Sequence, residues 1–114
     1  MLPELNRLRL RKDFEVVKTK GKNFQGGLFG LLVYPTRGKT SRFGFIISTK
    51  ISPRATQRNR VRRQLREVVR KLLPQLAGGF DVVFLGKRAL LGQDLTKVKT
   101  ETEKLFSKAG LLKK

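Results

Sequence analysis

The segment from Ala55 to Glu67 constrains this chain more than any other part of its sequence. Five arginines and a single acid occupy its thirteen positions, yet the segment and its continuation keep apolar residues at helical spacing. We expect Ser52 to cap the N-terminus of this helix, with Pro53 in its first turn. The helix should end near residue 73, before a proline. At about 100° per residue, five apolar side chains fall on one stripe that would pack on a sheet: Val61, Leu65, Val68, Val69 and Leu72.

The arginines of this helix lie beside the apolar stripe rather than opposite it. A solvated face normally mixes acids with bases, because like charges at i,i+4 repel. Arginine can place two N–H groups on one phosphate, so this pattern predicts a polyanionic partner. The alternatives are a solvated surface with arginine chosen for helix propensity and, for Asn59, a local cap or turn bond. Arg60 faces away from the core, and Arg58 projects over the helix start. The basic arc contains Asn59, Arg62, Arg63, Arg66 and Arg70.

The charge balance of the chain indicates the kind of partner rather than the fold. Lys and Arg number 27 against 8 Asp and Glu, a formal net charge of +19. Such a charge suits nucleic acid or an anionic membrane surface. No run approaches the roughly 18 apolar residues of a membrane span, and we identify no apolar segment of a secretory signal. A membrane-surface role is disfavoured, because the basic helix uses its apolar stripe for packing on the sheet.

Residue types needed for catalysis or for metal binding are scarce. The chain contains no cysteine and no histidine, which excludes disulfides and thiolate metal sites and removes the usual general base. A cysteine-free chain also fits a cytoplasmic protein. The 8 acids are scattered, and they form no catalytic or metal-binding pattern. We therefore predict a binding protein, or a partner to chemistry done by another molecule, rather than a protein-only nuclease.

The apolar pattern outside the arginine-rich helix predicts a single α+β domain over residues 1–114. Its order is helix-strand-strand-helix-strand-helix, an α/β sandwich with helices on one small sheet. Turn residues between the first two strands favour an antiparallel hairpin. Residues 23–27 are expected to form a loop, and residues 1–12 a basic, partly extended and flexible segment. The other predicted elements are helices at 13–20 and 93–108, and strands at 28–34, 42–48 and 80–85.

The aromatic residues suggest both core positions and a candidate stacking surface. By strand alternation, Arg42 and Gly44 share a face that we expect to be open to a ligand, while Phe43 and Phe45 point the other way. Phe14 lies on the first predicted helix. It packs in the core, or it stacks on a base of single-stranded nucleic acid, a contact worth ~1–3 kcal/mol.

The arginine-rich helix carries the ordered motif A-x-x-R-N-x-x-[K/R]-R-x-x-R-E, which the chain matches from Ala55 to Glu67. Weaker motifs are the run Leu10–Phe14 before a short helix, the strand Arg42–Ser48, the strand Gly79–Leu85 and a closing amphipathic helix. Together these motifs resemble those of the bacterial ribonuclease P protein subunit, and they cover nearly the whole chain.

The resemblance implies a mixed sheet in which the arginine-rich helix joins two parallel strands by a left-handed crossover, against the usual right-handed rule. It also implies a protein subunit with no catalytic residues of its own. The RNA subunit, with bound Mg²⁺, would remove the 5′ leader of precursor tRNA in the cytoplasm. The protein would bind that RNA subunit and the leader. It would own no metal site, and it would need no membrane and no protein partner.

The resemblance further implies roles for Phe14 and for six residues of the helix motif: Arg58, Asn59, Arg60, Arg62, Arg63 and Arg66. The other site residues are expected from the charge and strand patterns. Lys18 stands where the family often has a second aromatic, so we expect an electrostatic contact there. The loop at 51–54 looks one residue longer than the common form and lacks its glycine. The cleft residue of the first strand is Leu32 or Tyr34. The alternative function is that of a ribosomal or other structural RNA-binding protein. The expected leader-cleft residues are Phe14, Lys18 and Arg42. The expected RNA-binding residues are Arg58, Asn59, Arg60, Arg62, Arg63, Arg66, Arg70, Lys50, Arg11 and Lys12.

Overall fold

The regular elements follow one another in nearly the predicted order. The computed structural model describes residues 2–113, and we number its helices and strands along the chain. The α+β class is confirmed, with one strand more than predicted. Short 3₁₀ turns lie at Glu4–Asn6, Leu73–Gln75 and Arg88–Leu90. The helices are α1 (Arg11–Lys20), α2 (Ala55–Leu72) and α3 (Leu95–Lys108). The strands are β1 (Lys22–Gln25), β2 (Phe29–Pro35), β3 (Arg42–Ile46) and β4 (Phe80–Gly86).

β4 lies inside the sheet and separates two strands that the sequence predicted to pair. The strand order is β1-β2-β4-β3, with β2 antiparallel and β3 parallel to β4. Asp81 on β4 is aligned with Tyr34 on β2 and with Arg42 on β3. The predicted hairpin between residues 28–34 and 42–48 is therefore wrong, although these strands run in opposite directions. β4 takes the inner place because its successive side chains are buried on both faces, which is typical of inner strands.

β1 is a short edge strand in a segment that was expected to be a loop. It pairs antiparallel with β2, and Phe24 lies opposite Leu31. Phe24 is half-buried, while the other three side chains of β1 are exposed. A strand with one apolar residue lacks the alternation from which strands are predicted. The predicted loop at 23–27 is therefore wrong over most of its length.

Helices cover both faces of the sheet. On one face, α2 and α3 enclose the larger core with Phe43 and Phe84, and the apolar stripe of α2 is buried there as predicted. On the other face, α1 contributes Val17 to a smaller cluster with Leu8 and Val83. Burial of the stripe fixes the rotation of α2. The directions in which its arginines point follow from that rotation.

α2 connects the parallel neighbours β3 and β4, as the resemblance implied. The mixed sheet is confirmed by this pair together with the antiparallel pairs. The left-handed sense of the connection stays a prediction. Within residues 2–113, no helix combines the length and the apolar character needed to cross a membrane.

The helix ends differ slightly from the sequence expectations. α2 begins at Ala55, and the Ser52 hydroxyl accepts the N–H of Arg54 at 3.2 Å. Ser52 therefore holds the turn before the helix, and its predicted N-cap role is wrong. α3 is capped by Asp94, whose carboxylate accepts the N–H of Lys97 at 2.9 Å.

The N-terminal segment before α1 is held against β3. Leu2 and Leu8 are both buried. The Leu8 N–H donates to the Phe43 carbonyl at 2.9 Å, next to an isolated parallel bridge between Arg7 and Phe43. These contacts anchor a segment that was expected to be partly extended and flexible. Met1, at the start of that segment, lies outside the described residues.

Candidate nucleic-acid interface

The rotation of α2 determines which of its arginines lie next to the sheet. Arg62 and Arg66 are half-buried beside β3, and Arg63 and Arg70 are exposed. Arg60 lies on the other flank of the helix, where it lines a separate small cavity. The structure therefore brings only part of the predicted basic surface to the sheet edge.

A groove crosses the outer edge of β3 and joins residues from distant parts of the chain. β3 is the last strand of the sheet, and among the described residues it pairs beyond β4 only with Arg7. The walls of the groove are the N-terminal segment, α1, β3 and α2, and its volume is about 200 Å³. We call it the edge groove. It is lined by Arg7, Leu8, Arg9, Phe14, Phe43, Gly44, Phe45, Arg62 and Arg66.

Phe14 supplies one wall of the edge groove. Its half-buried ring lies on Gly44, so closely that a Cβ at that position would overlap the ring. The face of β3 that was expected to be open is therefore covered at Gly44. The ring also packs against the smaller apolar cluster, so it combines core packing with exposure to the groove. The first-strand candidates, Leu32 and Tyr34, lie in or against the same cluster and do not line the groove.

Arg66 is a cation beside an aromatic ring and two like charges. Its Cζ lies 5.9 Å from the ring centroid of Phe45. Burial lowers the pKa of Arg66, and Arg7 and Arg62 lower it further. An arginine nevertheless stays charged at neutral pH. A bound anion would relieve the repulsion among these three guanidinium groups.

Arg62 and Arg58 are oriented by hydrogen bonds to neighbouring groups. Arg62 donates from Nη1 to Asn59 Oδ1 at 3.1 Å and from Nη2 to the Ile47 carbonyl at 3.3 Å. Asn59 thus makes a local side-chain bond one turn along α2. Arg58 donates from Nη1 to the Ser52 carbonyl at 2.9 Å, so its head lies over the helix start as expected.

Arg42, which was expected in a leader cleft, is engaged by two carboxylates. It donates from Nε and Nη2 to Asp81 at 2.9 and 2.7 Å, and from Nη1 to Asp13 at 3.3 Å. The hydrogen bonds that Arg42 donates to Asp81, with a smaller effect of Asp13, raise the pKa of Arg42. Asp81 is buried. These bonds fix the first turn of α1 against β3 and β4, so Arg42 positions the helix that carries Phe14.

The other predicted cations do not line the edge groove. Lys50 is exposed in the loop before α2, and its carbonyl accepts a bond from Arg88 at 3.1 Å. Arg70 pairs with Glu67, which raises the pKa of Arg70 and lowers that of Glu67. Three further cations are exposed on α1: Arg11, Lys12 and Lys18.

Sequence reasoning missed two basic residues of the groove, Arg7 and Arg9. Both precede α1 and alternate with leucines. In an extended segment, alternation places these arginines opposite the buried Leu8. That alternation was the available signal, but its meaning depended on knowing that the segment lies along β3.

The fold and the edge groove together define a class, that of small basic α+β proteins suited to single-stranded nucleic acid. Proteins that bind single-stranded nucleic acid combine aromatic side chains, on which bases stack, with cations that contact the phosphates. The family model described as Ribonuclease P matches residues 2–110 of the chain. The chain therefore belongs to the ribonuclease P protein family, as the motif in α2 predicted.

Individual relatives agree with this assignment. The chain is 38% identical to the ribonuclease P protein component of a Synechococcus species, over 98% of this chain and 87% of that protein. It is 37% identical to that of a Synechocystis species, over 97% and 90%. The solved ribonuclease P protein of Thermotoga maritima is 30% identical with a TM-score of 0.82, covering 90% of this chain and 96% of that one. That of Staphylococcus aureus, 17% identical with a TM-score of 0.86 over 95% and 98%, shares the fold.

Proposed function

We propose that this chain is the non-catalytic subunit of a ribonucleoprotein endonuclease that removes the 5′ leader of precursor tRNA. The observation that carries the proposal is the edge groove, where Phe14 and two arginines of α2 line one space at the outer edge of β3. Single-stranded RNA offers phosphates to the cations and bases to the ring. Membership of the ribonuclease P family supports the same role.

Two surfaces of α2 have different partners in this proposal. The exposed arginines of α2, the exposed cations of α1 and Lys50 bind phosphates of the RNA subunit and set its position. The part of the edge groove nearest Phe14 takes the leader. Lys18, exposed one turn further along α1, attracts the leader by its charge where a stacking residue is absent. Arg42 acts indirectly by holding α1 in place.

We assign the Mg²⁺ of the reaction to the RNA subunit. Among residues 2–113, no three acids are grouped in a way that would hold a metal ion. The acids closest to the groove have cationic partners, since Asp13 and Asp81 bind Arg42 and Glu67 binds Arg70. Mg²⁺ takes oxygen ligands in near-octahedral geometry, which these residues do not fit. The part of this chain is to bind and orient RNA.

The proposed partners are two RNA molecules, the ribonuclease P RNA and a precursor tRNA. No protein partner is required in this proposal, because the groove and the basic surface of α2 both suit RNA. The relatives named above are bacterial. In a bacterium tRNA is made and processed in the cytoplasm, so we place the protein there.

Cleavage of precursor tRNA tests the proposed function. A bacterial ribonuclease P RNA is assayed at low Mg²⁺, with and without the protein. We expect strong stimulation by the protein and no cleavage by the protein alone. RNA binding without stimulation would instead favour a structural RNA-binding protein. Cleavage by the protein alone would overturn the division of labour.

A further inference from the structure

A second concavity adjoins the edge groove on the side where the exposed arginines of α2 begin. Its volume is about 340 Å³, and Arg7, Arg63, Arg66 and Glu67 line it. We call it the arginine pocket. Arg7 and Arg66 also line the edge groove, so the two spaces share a wall. A strand of RNA that follows the groove past Arg66 reaches the pocket.

Arg7 is the pocket residue that does not come from α2. Its Nε donates to the Leu2 carbonyl at 2.9 Å, and its backbone bridges Phe43. Leu8 is buried behind the segment, so strand alternation directs Arg7 toward α2. Among residues 2–113, no group accepts a hydrogen bond from its terminal nitrogens. These two nitrogens are therefore held in place and available to a ligand.

The arginine pocket carries more positive charge than its own carboxylate balances. Three guanidinium groups line it. Glu67, the acid of the pocket, also accepts hydrogen bonds from Arg70. Burial lowers the pKa of Arg66, and Arg7 and Arg62 lower it further, as expected for a partly buried cation beside like charges. A phosphate group has several acceptor oxygens and matches the forked N–H groups of arginine.

We propose that the arginine pocket binds one RNA phosphate, and that Arg7 joins Arg63 and Arg66 in holding it. The inference rests on the proposed function and adds to it a ligand from the N-terminal segment. The phosphate comes either from the single-stranded leader, as it leaves the edge groove, or from the RNA subunit. In both cases a phosphodiester connects the N-terminal segment to α2.

Replacement of Arg7 tests this inference in two binding assays. The first measures affinity for the ribonuclease P RNA, and the second compares precursor with mature tRNA bound to the assembled holoenzyme. Arg7→Ala should weaken RNA binding about 10-fold in one of the two assays, which is the loss expected for hydrogen bonds to a charged group. The salt slope of that assay should fall by about 0.7 to 0.9. The affected assay identifies whether the phosphate belongs to the leader or to the RNA subunit.

Arg37→Ala is the matched control. Arg37 is exposed in the turn after β2 and lines neither the groove nor the pocket. Its replacement removes the same charge and should leave both assays unchanged. If Arg7→Ala lowers affinity no more than this control in either assay, the inference is wrong.

A double variant shows whether the arginines share one phosphate. Arg7→Ala combined with Arg66→Ala should weaken binding by less than the product of the single effects, because both act on one ligand. If the two effects multiply instead, the arginines do not share one phosphate.

Arg7→Lys is a second variant, for the case in which Arg7→Ala unfolds the N-terminal segment. Lysine keeps the positive charge but lacks the paired N–H groups of a guanidinium. The salt slope should therefore persist while RNA affinity falls several-fold. Unchanged affinity would contradict the inference.

The outcomes separate this inference from the proposed function. Failure of the wild-type protein to stimulate cleavage would overturn the proposed function. If the wild type stimulates cleavage and Arg7→Ala binds both RNAs as the wild type does, only the phosphate site is wrong.

Discussion

At the scale of single residues, the contact between Phe14 and Gly44 shapes the edge groove. The ring lies directly on the backbone of β3, because Gly44 has no side chain. The same half-buried ring lines the groove and packs against the cluster that contains Val17. Phe14 therefore affects both stability and RNA binding, and the two effects have to be measured separately.

Phe14→Ala should reduce both stability and leader recognition. We expect a loss of roughly 2 kcal/mol in the free energy of unfolding, below the ~3–5 kcal/mol for a fully buried phenylalanine. Binding of leader-bearing precursor should weaken by a further ~1–3 kcal/mol relative to mature tRNA. Val17→Ala is the matched control, since Val17 is buried in the same cluster but does not line the groove. Equal losses of affinity for both RNAs would show that Phe14 acts only through packing.

Gly44→Ala should displace the ring of Phe14 toward the groove. Overpacking of this kind costs about 1–3 kcal/mol in the free energy of unfolding, which urea denaturation measures. In a Phe14→Ala background the nearest atom to the added methyl group is Leu8 Cβ, at an ordinary contact distance of 3.4 Å, so most of that cost should disappear. Equal costs in the two backgrounds would mean that the ring does not rest on this glycine.

At the scale of elements, Arg42 connects α1 to two strands of the sheet. Its guanidinium binds Asp13 on α1 and the buried Asp81 on β4. Asp81→Asn should destabilise the protein by about 2 kcal/mol, less than the ~3–5 kcal/mol for a fully buried pair, because Arg42 is partly exposed. Leader preference should also fall, since α1 carries Phe14. Urea unfolding and the two-RNA binding assay measure these effects.

Asp94→Asn controls for the loss of a carboxylate. Asp94 caps α3 far from Arg42 in sequence, and asparagine caps a helix about as well. Its replacement should therefore leave stability nearly unchanged. If Asp81→Asn costs no more than Asp94→Asn, the pair with Arg42 does not hold α1 in place.

The two longer helices, α2 and α3, were predictable because each buries a stripe at a period of 3.6 residues. α2 illustrates this, since every residue of its predicted stripe is buried. The same stripe determined which arginines flank the core. The class of partner also followed from the sequence, because the net charge and the motif in α2 are local properties that need no knowledge of the fold.

The pairing of the sheet was not predictable from local patterns. Adjacent strands separated by a turn usually pair, but β4 lies between β2 and β3 because its side chains are buried on both faces. Arg7 was missed for a related reason. Its role depends on a bridge to Phe43, a residue 36 positions along the chain, and no local period contains that information.

At the scale of the whole molecule, the net charge of +19 affects stability as well as binding. Like charges repel one another in the compact state, and few of the 27 cations have an acidic partner available among 8 acids. The free protein is therefore under electrostatic strain that salt screens and that RNA neutralises. Stability and RNA affinity should respond to salt in opposite directions.

An increase in NaCl from about 0.05 to 0.5 M shortens the Debye length from roughly 14 to 4 Å. We expect the unfolding free energy of the free protein to rise by about 1 kcal/mol, equivalent to roughly 4–8 °C in Tm. RNA affinity should fall over the same range, because the release of counterions from the RNA is less favourable in more concentrated salt. Thermal unfolding and equilibrium binding in the same buffers measure the two trends.

Sodium sulfate at matched ionic strength separates screening from anion binding. Sulfate also stabilises proteins in general, and this effect is measured on a neutral protein and subtracted. If screening dominates, sulfate and chloride should then raise Tm by the same amount. A larger effect of sulfate would indicate that anions occupy arginine sites in the free protein, and Arg7→Ala should then abolish part of it. A fall in Tm with salt would contradict the repulsion argument, since it would mean that favourable ion pairs such as Arg42–Asp81 outweigh the excess of positive charge.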